Sequence, residues 1–169
     1  SAVLDKKPIK HGSFHGNAQS DNANESKGIG AGMYFTFSNK EKGTVTAKIG
    51  LSYTSIENAR VNLQNEAANK TFDEVKEQAN RIWNEYLGRI EIETDREEDK
   101  VKFYTGLYHA LLGRGLASDV NGAYPQNDGL IGQLPMKGGK PQYNIYNTDA
   151  VWGAQWNLSQ LWTLAYPEY

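Results

Sequence analysis

The chain has 169 residues, of which 38% are hydrophobic, 22% charged and 11% aromatic, the mixture of a folded domain and too aromatic for a disordered one. Its 18 Lys and Arg against 20 Asp and Glu leave a formal charge of −2, so nothing marks a polyanion binder and no nucleic acid partner is expected. The lack of cysteine removes disulfide frameworks, thiolate zinc sites and thiol nucleophiles together.

Residues 1–54 read as β structure. Met33, Phe35 and Phe37 alternate with Tyr34 and Thr36, and Val45, Ala47, Ile49, Leu51 and Tyr53 alternate with mostly polar neighbours. Period two over such runs predicts half-buried strands. The Asn39–Gly43 stretch between them is expected to be a hairpin loop, and residues 11–32, rich in Gly, Asn, Ser and His, are expected to form a long loop.

From Ser55 the period becomes helical. Ile56, Ala59, Leu63 and Ala67 predict a weak helix that serves as a linker over 55–70. Thr71 and Glu74 form a capping box, and Phe72, Val75, Ala79, Ile82, Trp83, Tyr86 and Leu87 make one apolar stripe ended by Gly88. Thr94 and Glu97 repeat the box before a stripe through Tyr104, Leu107, Tyr108, Leu111 and Leu112, with Gly113 and Gly115 as the stop.

Residues 116–147 lack a regular period and carry turn signals at Asn121-Gly122, Asn127-Asp128-Gly129 and Gly138-Gly139. Tyr124, Met136, Tyr143 and Tyr146 within them argue for order. A last helix is expected near 149–166. It has no charged residue between Ala150 and Tyr166 and carries Trp152, Trp156 and Trp162. A helix uncharged all round is expected to be buried in a larger helical assembly, with the rest of a parent polypeptide as its partner. Gln155, Asn157, Ser159 and Gln160 argue against a membrane span.

Several segments together are similar to glycoside hydrolase family 92, the bacterial α-mannosidases. They are Phe103-Tyr-Thr-Gly-Leu-Tyr-His-Ala-Leu-Leu112, Ala117-Ser-Asp-Val-Asn-Gly122, Asn147-Thr-Asp-Ala-Val-Trp-Gly-Ala-Gln-Trp156 and Leu161-Trp-Thr-Leu-Ala-Tyr-Pro-Glu168. Upstream, Lys48 to Arg60 and Trp83 to Glu91 resemble the same family in the same order. The resemblance covers residues 30–169. It implies an α+β chain: the end of an N-terminal β-sandwich over 1–54, a linker helix over 55–70, and over 71–169 the first helices of an (α/α)6-barrel, truncated.

What the resemblance implies about chemistry is inverting, calcium-assisted hydrolysis that releases terminal α-linked mannose from a mannose-containing glycan. It places the catalytic carboxylates and the calcium ligands outside this chain, so the chain alone is expected to be inactive. By the same analogy the enzyme is exported to the periplasm, cell surface or medium. A non-catalytic carbohydrate-binding or structural module is the alternative.

Three residues are candidate sugar contacts. Many family members carry Leu-Trp-Asp-Thr in the last helix. Trp152 matches that Trp, but Gly153 stands where the family has Asp. Asp149, one helical turn earlier, could take over that contact, against a plain role at the helix start. Asp119 is sugar-facing in one reading and an Asx-turn residue in the other. His11 and His15 read as solvated loop histidines, and His109 as a packing residue. The Asp95–Asp99 acidic run lacks the ligand spacing of a calcium loop.

Overall fold

The computed structural model describes residues 1–38, 43–112, 115–147 and 151–168. The chain divides into two compact units, Ala2–Ile49 and Gly50–Tyr169, the second including Ser1.

In the first unit β1 (Ala2–Leu4) pairs antiparallel with β5 (Ala47–Ile49). A separate three-stranded antiparallel sheet has β2 (Lys10–His15) between β3 (Ala18–Asp21) and β4 (Ala31–Thr36). Two expectations change. The stretch expected to be a loop over 11–32 supplies β2, β3 and the start of β4. Its strands escape the period-two test because they are held by polar and ring contacts instead of an apolar face. Lys10 pairs with Asp21 at 3.0 Å, and the Tyr34 hydroxyl donates to the same carboxylate. The expected pairing of the two predicted strands also gives way, since β4 pairs with β2 and β5 with β1. Most of the expected Asn39–Gly43 hairpin loop lies outside the described residues.

The second unit opens with α1 (Ile56–Glu66), capped by Ser55, whose hydroxyl accepts from Asn58 N at 3.0 Å. α2 (Phe72–Leu87) begins with the predicted capping box. Thr71 Oγ1 accepts from Glu74 N at 3.2 Å, while the Glu74 carboxylate accepts from Thr71 N at 2.6 Å. α3 (Glu97–Leu111) starts without its predicted box. Its N-cap is Arg96, and Thr94 spends its hydroxyl on the Arg96 amide, 3.1 Å away. Glu97, Glu98 and Asp99 in the first turn still complement the helix dipole.

The single terminal helix expected over 149–166 is two helices, α4 (Val151–Ala154) and α5 (Leu158–Ala165). Ser159 Oγ donates to Ala154 O at 3.1 Å and Gln160 Nε2 to Gln155 O at 3.2 Å, so side chains take carbonyls that a continuous helix would have bonded. The core forms where α5 packs on α2 and α3. Leu107, Leu111, Trp162 and Tyr166 are buried there. Trp162 Nε1 donates to Ala110 O at 3.2 Å, and Tyr166 Oη donates to Tyr86 O at 2.9 Å, with the two tyrosine rings stacked 5.9 Å apart. Among the described residues of this stretch, burial is found at Ala154, Trp162 and Tyr166, and the expectation of burial all round fails elsewhere. Trp152, Trp156 and Leu164 are 79%, 71% and 84% exposed. No described helix is long and apolar enough to cross a membrane.

Candidate functional site

The segment between α3 and α4 is ordered by short pairings that its lack of period conceals. Ala117 N donates to Ile145 O at 2.8 Å, Ile145 N to Ser118 Oγ at 3.1 Å, and Asn147 N to Gly115 O at 2.9 Å, with Leu116 bridged to Tyr146. Between these two stretches stand a hairpin of β6 (Ala123–Pro125) and β7 (Ile131–Gln133), and a smaller one of β8 (Met136–Lys137) and β9 (Lys140–Pro141). All three predicted turn signals carry glycines with positive φ, namely Gly122, Gly129, Gly138 and Gly139.

Asp119 anchors this layer. It is 3% exposed. Its Oδ2 accepts from Ser52 Oγ at 2.9 Å and from Thr54 Oγ1 at 2.5 Å, and its Oδ1 accepts from Asn62 Nδ2 at 2.6 Å. Asn62 also donates to Leu51 O and accepts from Val120 N, and Asn121 donates to Asn58 Oδ1 at 2.8 Å. The Asp119 side chain therefore points back to residues 51–62 and does not close an Asx turn on its own loop. The reversal is made by the backbone: Gly122 N donates to Asp119 O and Asp119 N to Ala123 O, both at 2.8 Å. Gly122, at φ +83°, takes a conformation few other residues tolerate.

Beyond the anchor the same layer opens into a groove of about 660 Å³, lined by Ala117, Tyr124–Asp128 and Ile145–Asn147. That volume lies within the roughly 300–1,000 Å³ of small-molecule sites. The hairpin tip forming one wall is closed by its own bonds. Gln126 N donates to Leu130 O at 2.9 Å, Gly129 N to Gln126 O at 3.1 Å, and Leu130 N to Asp128 Oδ1 at 3.0 Å. Tyr124 pairs across the hairpin with Gly132, and its ring lies where any side chain at 132 would have to go. Among the described residues the lining offers two phenol rings, three amides and one carboxylate, with no Lys, Arg or His. It can hold a hydroxyl-rich ligand by donors, acceptors and ring faces.

The three candidates from the sequence do not converge here. Asp119 is enclosed in the anchor, Trp152 stands exposed on α4, and Asp149 lies outside the described residues. A Cβ at Gly153 would meet open space, so packing does not demand glycine where the resembling family has Asp. His11 bonds Asn24 at 3.1 Å and does not meet His15. Among the described residues no three His, Asp or Glu gather as a metal cage, and the Asp119 oxygens are already filled by donors. The described residues thus do not fit a calcium ion, which needs six to eight oxygens. In the sequence Tyr124 and Tyr146 argue for order and Asn127-Asp128-Gly129 signals a turn. Nothing in the sequence assigns them to a groove.

Comparison with known proteins places the arrangement. The model of the glycosyl hydrolase family 92 catalytic domain matches residues 58–169. The fold is similar to that of the family GH92 inverting mannosidase BT2199 from Bacteroides thetaiotaomicron VPI-5482, with a TM-score of 0.78 at 24% identity. It is also similar to the family GH92 α-mannosidase BT3965 from Bacteroides thetaiotaomicron, with a TM-score of 0.75 at 21% identity. The latter is also known in complex with mannoimidazole. Each likeness covers 99% of this chain and 22% of the other, so the chain spans about a fifth of the length of these relatives. No curated protein matches the sequence.

Proposed function

The chain belongs to glycosyl hydrolase family 92, and on that premise we propose that it is part of an exo-acting α-mannosidase that removes terminal α-linked mannose from glycans. The observation that carries this reading is the match of the catalytic-domain model over 58–169, the span that holds the groove, Asp119, most of α1 and all of α2 to α5. The mannosidase names of the structural relatives support the choice of sugar.

The reaction we assign is hydrolysis with inversion. A carboxylic acid protonates the glycosidic oxygen as the C1–O bond breaks, and a carboxylate on the opposite face takes a proton from the attacking water. Both groups are assigned to polypeptide beyond this chain, so the chain alone is proposed to be inactive. Calcium, where bound, would hold sugar hydroxyls and stabilise charge. Among the described residues no His, Asp or Glu cluster gathers to hold it. The contribution assigned to this chain is the sugar-binding wall, with Trp152 and Asp149 as contacts and Asp119 holding the loop layer in place. By analogy with the family, export to the periplasm, cell surface or medium is part of the proposal.

The test is incubation of the parent polypeptide with an aryl α-mannoside and an α-linked mannobiose, with the released sugar followed by NMR. The expected result is mannose appearing first as the β-anomer, with none from the 169-residue chain alone. Turnover by the isolated chain would refute the placement of the carboxylates. Glycan binding by the parent without any turnover would favour a carbohydrate-binding module.

A further inference from the structure

Resting on that reading, we propose that the groove between the β6–β7 hairpin and residues 145–147 is a binding subsite for an uncharged hexose of the glycan, with Tyr124 as its stacking platform. Three observations carry it.

The first is preorganisation. Residues 126–130 close on themselves through three hydrogen bonds, and the opposite wall is stitched to residues 115–118. Little ordering remains to be done when a ligand enters. The Tyr124 ring is packed over Gly132 and its hydroxyl accepts from Gln126 Nε2 at 3.5 Å. A ring so placed offers apolar area at low entropic cost, which suits the C–H face of a pyranose.

The second is the state of the polar groups. The side-chain amides of Asn127 and Asn147 line the groove and make no hydrogen bond with any described residue, and Asp128 uses one carboxylate oxygen on Leu130 N. Side-chain amides can donate to and accept from neighbouring hydroxyls, and a carboxylate can accept from them, each hydroxyl being both donor and acceptor.

The third is charge. Among the described residues Asp128 is the only charged side chain of the lining. A phosphorylated, sulfated or acidic sugar would bring a second negative charge beside Asp128, where no described lining residue is Lys, Arg or His, and like charges there disfavour binding. The ligand class is therefore neutral.

The experiment is calorimetric titration of the parent polypeptide with a linear α-linked mannose oligosaccharide and with its 6-phosphorylated counterpart. The neutral ligand is expected to bind at least tenfold more tightly. Tyr124→Ala is expected to raise its Kd roughly tenfold, the loss of one well-placed contact of about 1.4 kcal/mol. Tyr124→Phe keeps the ring and should stay within about threefold. Asn127→Ala, on an exposed loop with no bond to lose, secures the test against misfolding and should raise Kd several-fold. Unchanged Kd in both Tyr124→Ala and Asn127→Ala would overturn the subsite, as would tighter binding of the phosphorylated sugar. Should the parent bind the neutral ligand through Tyr124 yet cleave no α-mannoside, the subsite stands and the mannosidase reading falls. Should it cleave with both variants binding normally, the subsite alone falls.

Discussion

Asp119 and Asp128 belong to one loop layer and have opposite surroundings. Asp119 is buried, and both its oxygens are filled by Ser52, Thr54 and Asn62. Asp128 is exposed at a hairpin tip and spends one oxygen on Leu130 N. The first carboxylate is buried with both oxygens engaged by its own chain, and the second is exposed with one oxygen bonded. What separates scaffold from site in this layer is how far each polar group is saturated, which residue type does not reveal. A buried acid whose donors all come from its own chain is a structural tie.

The largest effect is expected where saturation is complete. Asp119→Ala strands the Asn62 amide and two hydroxyls, and should cost about 2–4 kcal/mol in denaturant unfolding. A loss of similar size for Asp128→Ala would erase the contrast between the two. Asn62→Ala removes the bonds to Leu51 O, Asp119 Oδ1 and Val120 N. It is expected to cost about 1–3 kcal/mol. Because both residues belong to one network, the double variant should lose less than the two single losses added together.

These assignments also show what sequence reading reaches. α2 could be placed by its capping box and stripe, because both ends of that helix are written in local chemistry. The split between α4 and α5 could not. It depends on Ser159 and Gln160 turning to the carbonyls of Ala154 and Gln155, while their sequence context continues the helical pattern. The strands over 10–21 were hidden for a related reason, since their polar cross-strand contacts leave no alternation. Of the site, the turns at Gly122 and Gly129 were evident from residue type alone. The anchoring of Asp119 by residues 52–62 was not, because no short-range pattern records a contact so far apart in the chain.

A third carboxylate lies between the two extremes. Glu168 is paired with Arg89 at 2.6 Å, and the guanidinium also sits over the rings of Tyr86 and Tyr166 and donates to Ala165 O. Its own backbone amide, and then Arg89, hold the Glu168 carboxyl below its ordinary value of about 4.5. A carboxyl with a lowered pKa in the folded state stabilises the fold above its ordinary value, and that contribution is lost as pH falls through the lowered one. The expected loss is smaller than at Asp119, because the pair is exposed to solvent and salt screens it. Glu168→Gln should lower the unfolding midpoint at neutral pH and flatten its decline below about pH 4.5. A decline of unchanged slope would show that other carboxylates govern the acid limb.

The smallest effect on stability is expected at Asp128. Asp128→Asn keeps the side-chain oxygen that accepts from Leu130 N, so the turn survives and stability should stay within about 0.5 kcal/mol. The substitution removes the negative charge from the groove and adds an amide donor beside Asn127. Affinity for a neutral oligosaccharide should therefore change only a few-fold, while the penalty against its 6-phosphorylated form should shrink, because the repelling charge is gone. Ligand selectivity would then respond to a residue that stability does not register, the reverse of Asp119. Were Asp128→Asn to destabilise the chain as strongly as Asp119→Ala, the tip would be a second structural tie and its free oxygen would have no part in recognition.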